Sequence, residues 1–285
     1  MQRTALCAAV PSSGVRHRIV MLSNVKHFAD LNAYDTQLLW GMTSGVAFCR
    51  FEELFSPIPG IAVTNLLPHQ LWELMQSTRS NRRLRVGEKH YEIFRPGLKP
   101  KTDFFCWDIR NSIALKLLSP TPGLLITVRP SAPLRREVAG FVHKNRLTER
   151  LGIRIRVEEN IDKTRKPRRI ARELDNMVAS LARIPWYVPV FVATDSQYIQ
   201  QMVASHFADT AYWPKEFDLQ ERTGRYVHRQ DKSAMRTFVK EIECLCQCRK
   251  VINVAGFLND HSVRNKTISE PYSEAAHLHL IRRGN

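Results

Sequence analysis

The stretch that decides the fold is "PSAPLRREVAGFVHKNRL", Pro130 to Leu147, followed three residues later by "LGIRIRV", Leu151 to Val157. The first part has a helical period. Ser131 is a candidate N-cap, Pro133 sits early, where its missing N–H costs nothing, and Leu134, Val138, Phe141 and Val142 form one apolar stripe. The second part switches to the period of a strand, with Arg154 and Arg156 alternating with Ile153, Ile155 and Val157. An isolated buried guanidinium is costly without an anion. The two arginines therefore imply either ion pairs with Glu158, Glu159 or Asp162, or a bound anionic ligand.

The same alternation continues downstream. "PRRIARELDNMVASLAR" predicts a helix with Ile170, Leu174, Met177, Val178 and Leu181 on one side, and "VPVFVATD" predicts a strand buried on both faces. "SQYIQQMVASHF" and "FVKEIECLCQC" read as helices and "KVINVAGF" as a further strand. Helices alternating with apolar strands predict a parallel sheet covered on both sides, with ligands bound outside the carboxyl ends of its strands. Arg154, Arg156, Asp195 and the residues after Ala255 fall at those ends. Asp195, followed by Ser196, can equally cap the next helix.

Upstream, prolines in "LFSPIPG", "FRPGLKPK" and "SPTPG" punctuate helix-like segments such as "LPHQLWELMQS". The expected division is an N-terminal lobe over residues 1–122 and a C-terminal lobe over 123–285. The opening "MQRTALCAAVPSSGVRHR" has only a short apolar patch flanked by basic residues and reads as an untargeted, frayed terminus. No uncharged stretch reaches membrane-spanning length.

Forty-three Lys and Arg against 27 Asp and Glu give a formal charge of +16, which favours anionic partners. The densest run, "KTRKPRRIAR" from Lys163 to Arg172, carries no aromatic residue for base stacking and reads as a solvated loop or an anion-facing rim. Six cysteines are spread without zinc-knuckle spacing, and "CLCQC" continues a helical pattern on which alternate positions diverge. Packing thiols in a reducing, cytoplasmic setting are expected, with no metal site. Trp213 and Phe217 are expected to pack.

The strand ends together resemble the donor-site motifs of the fucosyltransferase superfamily. "RIRVEE", Arg154 to Glu159, stands where the family has H-x-R-R-x-D, and "RPSAPLRREVAGF" is similar to the helix signature before it. "VFVATDS" resembles the second motif, an apolar strand ending in a hydroxyl residue and an aspartate, here Thr194 and Asp195. "INVAGFLNDHSVRN" resembles the third, with an aromatic residue, a serine and an arginine, here Phe257, Ser262 and Arg264. Trp40, Cys49, Phe51, Leu54 and Phe55 follow the order of an acceptor-side pattern. The family's glycine-rich opening loop has at best an eroded counterpart in "SNVKHFADLNAYDTQLLW".

The resemblance implies an α/β, GT-B-like chain of two Rossmann-like lobes with parallel sheets, the N-terminal acceptor-side lobe being open to reduction and the C-terminal lobe binding the donor. It implies transfer of fucose from GDP-fucose to a glycan or lipo-oligosaccharide hydroxyl with inversion, without metal or cofactor. Arg156 takes the place of the arginine that holds the diphosphate, with Arg154, Glu159, Thr194, Asp195, Phe257, Ser262 and Arg264 as further donor contacts. Arg154 replaces the family histidine, Val157 the second arginine and Glu159 the aspartate. His228 and His261 are candidate bases for the acceptor hydroxyl. Two rival classes are a basic nucleic-acid-binding protein and a catalytically inactive GDP-sugar-binding relative.

Overall fold

A computed structural model describes residues 2–9, 15–42, 49–107, 109–118, 128–155, 175–220, 225–228 and 232–253. These fall into two units. One takes in residues up to Ala132 together with 232–235, and the other begins at Pro133 and resumes at Arg236.

The first unit is built on the segment expected to fray. Arg3–Ala8 forms β1, and its Ala5, Leu6, Cys7 and Ala8 are fully buried. These small and apolar side chains suit a central strand covered on both faces, which a reading of terminal position and charge overlooked. The helix Val15–Leu31 carries the chain back to β2 (Tyr34–Gly41), which pairs parallel with β1 from Arg3↔Tyr34 to Ala8↔Leu39. β3 (Ile61–Leu66) adds to the far side of β2. After the helix Pro68–Ser80 come β4 (Arg83–Val86), β5 (Lys89–Ile93) and β6 (Phe104–Cys106). The sheet order is β3-β2-β1-β6-β5-β4, parallel except for the β4–β5 hairpin. Gly87 turns that hairpin at φ +60, a conformation glycine adopts without penalty. On one face Leu6, Leu39 and Phe105 pack against Leu71 and Met75 of the helix Pro68–Ser80. Elsewhere in the core Phe104 meets Phe28 and Tyr34 edge-on. Among the described residues this sheet has six strands.

In the second unit β7 (Leu151–Ile155), β8 (Val190–Thr194), β9 (Thr210–Tyr212) and β12 (Lys250–Asn253) form an all-parallel sheet in the order β12-β7-β8-β9. Every residue of β7 and β8 is buried, as the unbroken apolar run of β8 predicts. Ile153, Ile155, Val190 and Val192 meet Met177 and Leu181 of the helical residues 175–181, and Ile199 and Val203 of the helix Gln197–His206. Val178, expected on that apolar side, is instead exposed, and Ile170 and Leu174 lie outside the described residues. Strand alternation turns Gly152, Arg154 and Phe191 to the other face.

That second face is covered by the helices Ala132–Lys144 and Lys232–Gln247. Phe141 meets Phe191 edge-on and Trp213 at a tilt, and Glu137 pairs with Arg236 and Lys240 across the two helices. Trp213 packs as expected, while Phe217 opens a two-stranded hairpin of β10 (Phe217–Gln220) and β11 (Arg225–His228). The Ser131 hydroxyl, at the expected N-cap, donates to the Glu53 carbonyl at 3.2 Å.

Gly152 lies where Leu245 of the helix Lys232–Gln247 packs closely on the sheet. A Cβ there would stand 2.7 Å from Val251 Cγ2 and 3.0 Å from Leu245 Cδ2. Gly152→Ala should therefore cost about 1–3 kcal/mol by overpacking. Chemical denaturation should show a lower midpoint with an unchanged slope, and an unmoved midpoint would contradict this packing.

Candidate functional site

The order β12-β7-β8-β9 reverses direction at β7, so the carboxyl ends of β7 and β12 flank the switch point where open α/β sheets bind ligands. Arg154 is aligned with Asn253 of β12 on one side and Ala193 of β8 on the other. Thr194 ends β8 opposite Ile155. Arg154 and Thr194 are both buried, and Asp195 follows in the turn that leads to the helix Gln197–His206. The cap of that helix is Ser196, whose N–H donates to Thr194 Oγ1 at 3.3 Å and whose side chain makes no capping bond. Asp195 is thus not the cap residue.

Two charged residues that sequence reasoning missed complete this cluster. Lys215 donates through Nζ to the main-chain carbonyl oxygen of Thr194, and its Nζ lies 2.5 Å from Glu241 Oε1. The Lys215 side chain is 1% exposed and that of Glu241 8%. Burial pushes the Glu241 carboxyl above its ordinary pKa; Lys215 pulls it down, Asp195 adds to the rise, and Arg154 lowers it. Arg154, Lys215 and Glu241 are therefore buried together at the ends of β7 and β8, with the half-buried Asp195 within range of their charges. Signals for the missed pair were present. Glu241 stands three residues after Phe238 and four before Leu245, within the apolar stripe of its helix, and Lys215 lies between Trp213 and Phe217.

Among the expected site residues, the structure brings together Arg154, Thr194 and Asp195. Arg156, Glu159, Phe257, Ser262 and Arg264 lie outside the described residues, as do the suggested partners Glu158 and Asp162 and the candidate base His261. His228 is in β11, aligned with Phe217. Cys244 is buried in its helix, and Cys248 Sγ donates to the Cys244 carbonyl at 3.4 Å. Burial pushes the thiols of Cys246 and Cys248 up to about 12, which keeps them protonated and unreactive at neutral pH.

In the first unit, the residues read as an acceptor-side pattern build an aromatic core at the end of β2. Trp40 stands edge-on to Phe51 at 5.4 Å and to Phe55 at 6.3 Å, and its indole N–H donates to the Cys49 carbonyl at 2.8 Å. Arg18, another residue that sequence reasoning missed, is 1% exposed, donates to the Gly41 carbonyl at 2.6 Å and lies 5.0 Å over the Trp40 ring. Burial brings its guanidinium down to about 10, so it stays charged at neutral pH. The stretch taken for an eroded opening loop, Ser23 to Trp40, is helix and β2.

No protein-family model and no curated protein matches the chain. Solved structures do. NodZ α-1,6-fucosyltransferase soaked with GDP-fucose is similar over 99% of this chain and 93% of its own, with a TM-score of 0.53 at 12% identity. The same named enzyme co-crystallised with GDP gives 0.52 at 13% identity over 99% and 92%. Fucosyltransferase NodZ from Bradyrhizobium gives 0.51 at 11% identity, over 88% of each chain. This is the GT-B fold of the fucosyltransferases. Two units with largely parallel sheets are what that fold requires, and the expected fold class holds.

The buried pair makes two predictions. Lys215→Met alone should cost about 3–5 kcal/mol by stranding a buried carboxylate, whereas Lys215→Met with Glu241→Leu should recover most of it in denaturant titrations. A raised folded-state pKa means that Glu241 binds its proton more tightly in the folded than in the unfolded chain. Its contribution is therefore full below the unfolded pKa and fades as pH rises through the folded one. Relative to Glu241→Gln, the wild-type chain should gain stability as pH falls through that folded value and level off below the ordinary glutamate pKa. A pH-independent difference would contradict the assignment.

Proposed function

We propose that the chain is a divergent member of the fucosyltransferase superfamily that uses a GDP-sugar. In this reading it transfers fucose from GDP-fucose, with inversion, to a glycan or lipo-oligosaccharide hydroxyl. The observation that carries it is the fold: nearly the whole chain follows that of NodZ soaked with GDP-fucose. Arg154, Thr194 and Asp195 at a sheet switch point support it.

The roles follow from the chemistry. Departure of GDP builds negative charge on the diphosphate, and the positive charge of Arg156 favours that state over the bound donor. An arginine in this place supplies charge compensation without a metal ion. Asp195 accepts hydrogen bonds from the ribose or the guanine, while Phe257, Ser262 and Arg264 line the phosphate side and Glu159 steadies an arginine. The second unit holds the donor, the first meets the acceptor, and a reducing cytoplasmic compartment suits six free cysteines. Among the described residues, no helix is long and apolar enough to cross a membrane.

Calorimetry with GDP, UDP and ADP tests the donor class, with tight binding of GDP alone expected. GDP at a hundred times its Kd should stabilise the fold by about 2.7 kcal/mol, and Arg156→Ala should abolish that protection. Undiminished protection of the variant would count against the diphosphate role. Equal binding of all three nucleotides, or steeply salt-dependent binding to nucleic acid, would favour the basic nucleic-acid-binding alternative. GDP binding without turnover of GDP-fucose would leave an inactive relative.

A further inference from the structure

We infer that Lys215 and Glu241 form a positioning pair that sets nucleotide specificity at the end of β8, a role that rests on the GDP-sugar assignment above. Neither residue belongs to the motifs that suggested the site. Lys215 comes from the segment after β9 and Glu241 from the helix Lys232–Gln247, so the pair ties two separate elements to one strand end.

The stability ledger alone gives no reason to keep such a pair. Two desolvated charges cost several kcal/mol, their attraction returns that only with good geometry, and apolar residues of similar volume are often as stable or better. What the pair supplies is direction. The Lys215 ammonium grips the Thr194 carbonyl, which fixes the peptide that leads into Asp195, and Glu241 holds the ammonium in place from behind. The carboxylate of Asp195 is the acidic group at this strand end that can read the hydrogen-bond donors of a guanine or a ribose. Arg154 also lowers the pKa of Glu241 through its charge, so moving the pair changes the field at the ends of both β7 and β8. A buried charge network beside ligand-facing groups is the usual arrangement where a protein spends stability to hold a polar group in one orientation.

The pair should therefore act on the base and ribose end of the ligand, and Arg156 on the diphosphate. Lys215→Met with Glu241→Leu removes both charges together and is expected to remain folded. Calorimetry on this variant should show GDP affinity reduced at least tenfold and the preference for GDP over UDP reduced by a similar factor. Arg156→Ala should weaken GDP and UDP alike and leave their ratio within about twofold of the wild-type value. Lys215→Arg keeps the cation and guards against loss of fold: its GDP preference should stay within about threefold of wild type.

Unchanged GDP-to-UDP ratios in every folded Lys215 and Glu241 variant would overturn the role of the pair while leaving the donor assignment intact. If the double variant does not fold, Glu241→Gln decides in its place. It keeps an acceptor for Lys215 but not the charge, and it should lower the ratio two- to fivefold; a wild-type ratio would overturn the inference. A wild-type chain that binds GDP no better than UDP would overturn both.

Discussion

The constraint on which the second unit depends is that β7 and β8 are buried on both faces while β7 carries an arginine. Apolar cover excludes water, so a guanidinium at position 154 has to be compensated from within the protein. Glu241 does part of this from the helix that packs on that face, and Glu241 in turn has to be matched by Lys215. Gly152 shows how tight the packing on that face is, since even a methyl group there would collide with Val251.

The same constraint separates stability from function. On the face toward the helices 175–181 and Gln197–His206, Ile153, Ile155, Val190 and Val192 supply the apolar cover that a sheet face needs. On the opposite face Arg154 and Glu241 place buried charge toward the carboxyl end of β7. Such polarity within one strand is expensive unless something is bound or positioned there. In the first unit, buried charge serves a different end: Arg18 braces the Gly41 carbonyl and the Trp40 ring, and the aromatic cluster of Trp40, Phe51 and Phe55 stabilises the end of β2.

Much of this was legible in the chain. The helix through Leu134 and Val138, the strands at Ile153 and Val192 and the arrangement of Arg154 with Thr194 and Asp195 all follow from periodicity and from motif order, because local sequence sets local structure. β1 was not legible. Its six residues stand near the start of the chain beside basic residues, and only pairing with β2 and β6 makes them central. Val178 failed for a related reason, since helical spacing gives a stripe but not its width. Asp195 could be read as the cap of the next helix, and the cap proved to be Ser196.

The sequence by itself determined the fold class, the alternation of helices and strands in the second unit and the position of its strand ends, since all of these rest on spacing within short segments. Tertiary structure alone decided that Lys215 and Glu241 meet beneath Thr194, 26 residues apart in the chain, and that Arg18 lies under Trp40. Burial of a charge is a property of its surroundings. A lysine between aromatics and a glutamate in an apolar stripe each carry a hint of it, but only the packed sheet shows that they are each other's counter-ion.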